Sequence, residues 1–287
     1  MSTEYSHPFT PRLVDIEDGP IEIWEGGDGP VTFVTMHPYL IANGKYPGAG
    51  LADGLASVGR TVFVTPRGSG GSFAESRREK LGMDTLTDDL EQVRLALGIE
   101  KWIPSGFSCG GMVTLMYASR YPGALAGAVP ICTAASYHYA IAPESLYSPD
   151  SPVYQRLAEI SERAGRGPEY ERVAMSASLH NQDVLETVLT TTPKDQVRNE
   201  VVVEEVLAGK WNYEPELPKI TAPTLIIAGR HDAQAGSMLW SHKILVGIPG
   251  SELAVMNNSG HFPHEEEPAE FRRVIKDFVR RRIAGPA

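Results

Sequence analysis

Cysteine is scarce in this 287-residue sequence: only Cys109 and Cys132. Two thiols make no disulfide framework, and they suit a reducing compartment. Both read as small buried apolar side chains. No Cys or His takes the short paired spacing of a metal site, so no metal is expected. Long apolar runs are missing as well. None approaches the roughly 18 residues needed to cross a bilayer, and residues 1–8 carry neither a basic stretch nor an apolar core. A soluble, cytoplasmic chain is expected. Positive charge is in deficit, with 26 Lys and Arg against 36 Asp and Glu and a net charge of −10. Such a chain attracts neither nucleic acid nor an anionic membrane surface. That leaves a small-molecule substrate as partner and a monomer or homodimer as assembly. Internal repeats and low-complexity segments are absent, and the length suits one large domain or one domain with an insertion.

What is present is organised around Gly106-Phe107-Ser108-Cys109-Gly110-Gly111. An apolar run at 101–105 precedes it and a helical pattern at 112–120 follows. Strand, tight turn and helix with serine at the apex, in the spacing G-x-S-x-G, is the nucleophile-elbow pattern. A serine on such a turn is held in a strained backbone, and side chains at Gly106 and Gly110 would collide with the flanking elements. The turn also aims the amides of the helix start at the space above Ser108.

Alternating segments at 12–17 and 21–25, separated by Asp18-Gly19-Pro20, read as a hairpin. Buried strands are expected at 31–36, 61–65, 101–105, 124–132, 224–229 and 252–256. Helices are expected at 46–58, 84–97, 112–120, 236–246 and 268–283, with Asp84 or Thr85 capping the second. Strands alternating with helices imply a mostly parallel sheet covered on both faces, with the hairpin as its antiparallel edge. Between 133 and 218 no strand is expected and helices fall at 152–164, 169–177, 183–190 and 201–211. The division is therefore core at 1–134, helical cap at 135–218 and core again at 219–287. Insertions at the C-terminal ends of strands overhang the site, so the cap reads as a substrate lid.

A serine hydroxyl needs a base within reach and a group to orient that base. Asp232 and His261 each follow a strand, and in a parallel sheet those strand ends share one edge. The chain order Ser108, Asp232, His261 suits this elbow. His264 beside Glu265-Glu266-Glu267 reads as part of a charge-paired or structural segment. Oxyanion donors are expected from the amide of Cys109 and from the loop after 31–36, at Tyr39 with Leu40 as second candidate. Phe107, His37 and Leu40 are the candidate substrate contacts.

The chain resembles the α/β-hydrolase superfamily along its whole core. Arg67-Gly68-Ser69-Gly70-Gly71-Ser72 is similar to an R-G-x-G-x-S turn of that family, Gly106 to Gly111 to its elbow, and Gly229-Arg230-His231-Asp232 and Gly260-His261-Phe262-Pro263 to its acid and histidine loops. The helix at 84–97 and the Arg67 turn look most like the proline iminopeptidase branch. His37-Pro38 stands where the family has His-Gly, and the G-G-S-W-G elbow of that branch is absent. Proline lacks an N–H, which reshapes that loop.

The resemblance implies an α/β-hydrolase fold: an eight-stranded, mostly parallel sheet with a helical cap, no cofactor, and cleavage of a small to medium ester, thioester or lactone through an acyl-enzyme. Two alternatives stand beside it. One is a proline iminopeptidase-like aminopeptidase, with Glu200, Glu204, Glu205 and Glu214 available for a substrate ammonium. The other is a ligand-binding or non-hydrolytic relative with a retained triad.

Overall fold

The computed structural model describes residues 7–38, 40–41, 49–143, 145–191, 196–197, 199–207, 211–234 and 237–284. Ten strands are found there: β1 (Thr10–Ile16), β2 (Gly19–Gly26), β3 (Thr32–Met36), β4 (Leu40–Ile41), β5 (Arg60–Val64), β6 (Ile103–Phe107), β7 (Val129–Ile131), β8 (Gln196–Val197), β9 (Leu225–Gly229) and β10 (Glu252–Met256). Eight form one sheet in the order β1-β2-β5-β3-β6-β7-β9-β10. The β1–β2 and β2–β5 pairs are antiparallel and the other pairs are parallel.

Alternation along the buried strands sends side chains to opposite faces. Phe33, Ile103 and Ile227 pack with Leu51 and Leu55 of α1 (Ala49–Ala56) and with Phe271, Ile275 and Phe278 of α11 (Pro268–Phe278). Val34, Val62 and Ile226 face the other way, toward α2 (Met83–Ala96), α3 (Cys109–Arg120) and α9 (Met238–Gly247). Two apolar layers thus sandwich the sheet. The chain buries both faces, as the strand–helix alternation implies.

The Arg67 turn is structural. Arg67 is 1% exposed and grips Asp89 of α2 through two bonds, Nε to Oδ2 at 2.7 Å and Nη2 to Oδ1 at 2.5 Å. Its Nη1 donates to Asp18 at 2.8 Å, which ties the β1–β2 turn to the same centre. Ser72 Oγ donates to the Thr65 carbonyl and accepts the Glu22 amide, closing the turn onto β2.

Several expectations are corrected. The strand expected at 124–132 shrinks to Val129–Ile131, because 122–124 forms a 3-10 turn and Leu125 and Ala128 make only isolated bridges. Neither Asp84 nor Thr85 caps α2. The N-cap is Gly82, and the Met83 amide donates instead to Glu205, 122 residues away. The final helix ends at Phe278 and continues as a π-turn over Val279–Ile283. Arg281 and Arg282 there fold back onto Glu252 of β10.

The segment between β7 and β9 carries α4 (His138–Ile141), α5 (Pro152–Ala164), α6 (Pro168–Ser178), α7 (Leu185–Thr191) and α8 (Glu200–Leu207). It is not strand-less. Gln196–Val197 pairs antiparallel with Leu40–Ile41, a two-residue ladder that no periodicity could announce. The helical segment is fastened to the core by polar side chains. Asn199 Nδ2 donates to the Leu81 carbonyl beside the Glu205–Met83 bond, and Ser136 Oγ donates to Glu214 at its neck.

Candidate active site

The elbow forms where β6 meets α3. Ser108 sits at φ 54° and ψ −121°, a left-handed backbone that costs a non-glycine residue roughly 1–3 kcal/mol and persists only under surrounding constraint. The constraint is visible. The Ser108 amide donates to Ile131 O at 2.9 Å, while its carbonyl accepts from Gly111 N and from Thr133 Oγ1 at 2.8 Å. A Cβ on Gly106 would lie 2.0 Å from the Gly110 carbonyl oxygen, so only glycine lets the strand pass the helix start.

Three strand ends then converge. His261 Nε2 lies 3.1 Å from Ser108 Oγ, and His261 Nδ1 lies 2.7 Å from Asp232 Oδ2. With Asp232 accepting from Nδ1–H, Nε2 carries the lone pair and Ser108 O–H donates to it. The Asp232 side chain is 0% exposed, and its Oδ1 accepts the Gln234 amide at 2.7 Å. Ser108 itself is half-buried, so substrate can reach it.

His261 is held by its backbone and by its ring. Its amide donates to Ser178 O at the end of α6 at 2.7 Å. Gly260, just before it, serves a close backbone approach. A Cβ there would lie 2.4 Å from Ser178 O, so glycine lets the 178–180 segment press onto the loop. Phe107 stacks obliquely on the His261 ring at 4.8 Å and touches Phe262 and His264 as well.

The residues sequence reasoning missed are acidic. Glu266 of α10 (Pro263–Glu266) is buried, yet its Oε2 accepts the amides of His180 and Asn181, and its Oε1 those of Gly260 and Phe262. Glu267 accepts from Ser259 Oγ and from the Asn258 amide. Glu266 and Glu267, which the sequence leaves as part of a charge-paired or structural segment, brace the histidine loop. On the other side of the loop, Gln234 Nε2 donates to Ser178 Oγ and Tyr147 O–H donates to Gln234 Oε1, which joins the acid loop to the helical segment.

Of the oxyanion candidates, the Cys109 amide opens α3 directly after Ser108. Tyr39 lies outside the described residues. Leu40 is placed by its backbone in the β4–β8 ladder, opposite Val197. His37 lies close enough to His261 to feel its charge. Burial first, and His261 second, hold its imidazole down to about 4, so it is neutral near pH 7. His264 is held down to about 3 for the same two reasons.

Among the described residues one group has metal-ligand spacing: Cys132, Asp232 and His261, with donor atoms within 4.8 Å of one another. Both ring nitrogens of His261 are already engaged. Burial, and then the Asp232 charge, push the Cys132 thiol up, against the thiolate that a metal would need.

A family model described as the alpha/beta hydrolase fold matches residues 40–268. The chain belongs to that family. It is 27% identical over 231 residues to an AB hydrolase superfamily protein, YisY, of Bacillus subtilis, covering 76% of this chain and 81% of the relative. It is 26% identical over 260 residues to a proline iminopeptidase of Saccharolobus solfataricus, covering 85% and 80%. A solved alpha/beta fold family hydrolase from Bacillus anthracis superposes with a TM-score of 0.82 at 25% identity, covering 94% of this chain and 99% of that one. The eight-stranded, mostly parallel sheet is the fold of that family.

Proposed function

We propose that the protein is a serine hydrolase that cleaves a small to medium carboxylic ester, thioester or lactone through an acyl-enzyme on Ser108. The observation that carries this reading is the unbroken chain Asp232 Oδ2, His261 Nδ1, His261 Nε2, Ser108 Oγ, at 2.7 and 3.1 Å. Ser108 Oγ attacks the carbonyl carbon as its proton passes to Nε2. Asp232 fixes the tautomer and stabilises the imidazolium. The tetrahedral oxyanion sits against the Cys109 amide and a second donor from the Tyr39–Leu40 loop. Collapse expels the leaving group with the proton from Nε2, and water activated by the same nitrogen releases the acid. The helices between 135 and 218 act as a lid, resting on the acid and histidine loops through Ser178, His180 and Asn181.

The likeness to a proline iminopeptidase favours a second reading, an aminopeptidase. Three of the four acids that would hold a substrate ammonium have other partners. Glu204 pairs with Arg78, Glu205 accepts the Met83 amide, and Glu214 accepts from Ser136. Glu200 begins α8 and is exposed.

Turnover of p-nitrophenyl esters of increasing acyl length, beside proline p-nitroanilide, tests both. Ester hydrolysis that Ser108→Ala abolishes is the expected result. Hydrolysis of the anilide alone moves the assignment to the aminopeptidase. No turnover, with Ser108 inert to a fluorophosphonate, points to a non-hydrolytic relative shaped by His37-Pro38.

A further inference from the structure

The residue after β7 shares the elbow's strain. Cys132 has φ 44°, and among the described residues the only other non-glycine with a positive φ is Ser108. Glycine adopts this conformation without penalty, whereas a cysteine there is strained. The segment is built around the site. Ile131 O accepts the Ser108 amide, and Thr133 Oγ1 donates to the Ser108 carbonyl. Between them the Cys132 side chain is 0% exposed, with Sγ within 4.8 Å of an Asp232 carboxylate oxygen and a His261 ring nitrogen.

Asp232 has room for another donor. Its Oδ1 accepts from Gln234 N and its Oδ2 from His261 Nδ1, one bond to each oxygen. An ionised carboxylate offers about four lone-pair positions, and a buried anion is expensive unless they are filled.

We propose that Cys132 is a positioning residue for the triad, its thiol proton donated to the Asp232 carboxylate to hold that group ionised and aligned with His261 Nδ1. Its catalytic consequence rests on the serine-hydrolase reading; the contact itself does not. The thiol stays protonated because burial and the Asp232 charge push it up, so it acts as a donor and not as a nucleophile. Removing the donor leaves Asp232 less stabilised, so it draws the imidazolium proton more strongly and raises the acid limb of the rate profile.

The test compares wild type, Cys132→Ala and Cys132→Ser. It reads the pH profile of kcat/KM on a p-nitrophenyl ester and the low-field proton resonance of His261 Nδ1–H. A net hydrogen bond of usual strength predicts an acid limb moved up by about 0.5 to 1 pH unit in Cys132→Ala, with kcat down about three- to tenfold. Cys132→Ser keeps a donor and should restore both the limb and the resonance. An alanine variant indistinguishable from wild type, or alanine and serine shifted alike, overturns the proposal. If Ser108→Ala keeps wild-type turnover, the hydrolase reading fails, and the Nδ1–H resonance still decides the contact. Should Cys132→Ala not fold, the infrared S–H stretch of the wild-type protein decides. It must shift on Asp232→Asn, and an unmoved band rejects the contact.

Discussion

The Glu266 carboxylate accepts the His180 amide at 2.8 Å and, through the same oxygen, the Asn181 amide at 2.8 Å. Its other oxygen takes the Gly260 and Phe262 amides, which flank His261. One buried side chain therefore couples the helical segment to the loop that carries His261. Gln cannot replace it. Whichever way the amide is turned, its NH2 faces a pair of N–H donors. Glu266→Gln is expected to cost as much as Glu266→Ala, about 3 kcal/mol or more, since each stranded buried donor costs about 1–3 kcal/mol. Urea unfolding gives the stability, and amide exchange at His180 and Asn181 should rise in both variants. A glutamine variant as stable as wild type would mean the four bonds are not worth what their geometry implies.

Asp232→Asn should leave the fold intact and damage turnover. The amide can still accept from Gln234 N–H, but its NH2 turned toward His261 favours the wrong tautomer at Nδ1. The loss in kcat is expected to be on the order of 10³–10⁴ with KM little changed. A loss under tenfold would remove Asp232 from the candidate triad.

The elbow and the strand-end placement of Asp232 and His261 were legible because both are written locally. A glycine-serine-glycine turn needs only its neighbours, and an acid or histidine just past an apolar strand falls at the shared edge of a parallel sheet. The hairpin, the sheet and most helices were legible for the same reason. What stayed hidden depends on distant partners. Nothing near Glu205 says that it caps α2, and nothing in Gln196-Val197 says that it pairs with Leu40-Ile41. The Glu265–Glu267 run reads only as a charge-paired or structural segment, and it takes the fold to show that Glu266 turns inward onto the histidine loop. Cys132 read as a small apolar residue, since its φ and its distance to Asp232 have no sequence signal.

Arg67 should be worth more to stability than any exposed ion pair. Burial drives Asp89 upward while the guanidinium opposes it, so each charge needs the other. Arg67→Ala leaves Asp89 buried and unpaired, and breaking such a pair costs about 3–5 kcal/mol. Arg67→Lys should also destabilise, because an ammonium cannot reproduce the two-pronged contact. The double variant Arg67→Met/Asp89→Leu is expected to lose less than Arg67→Ala alone. Urea midpoints for the three variants check the order, and a double variant weaker than the single would reverse the argument.

Two histidines with lowered pKa values make the fold sensitive to acid. His264 is 5% exposed, its Nδ1 has no hydrogen-bond partner among the described residues, and its ring is held down to about 3 by burial and then by His261. His37 is held down to about 4. An unfolded histidine titrates near 6.5, so between about 6.5 and 4 the unfolded chain binds more protons than the native one. Stability must then fall as pH falls, by up to about 1.4 kcal/mol per pH unit for each histidine. Glu205 and Glu265 act in the opposite sense. Burial raises both, so their contribution is present at low pH and is lost as pH rises through the raised values. Subtracting a variant isolates one group. His264→Phe keeps an aromatic ring among Phe107, Phe262 and Phe271 and removes the titration. Urea unfolding at pH 6.5 and 4.5 should show wild type losing more stability over the interval than His264→Phe. Equal losses would mean that His264 is protonated in the native state, and that its ring is not sealed from water.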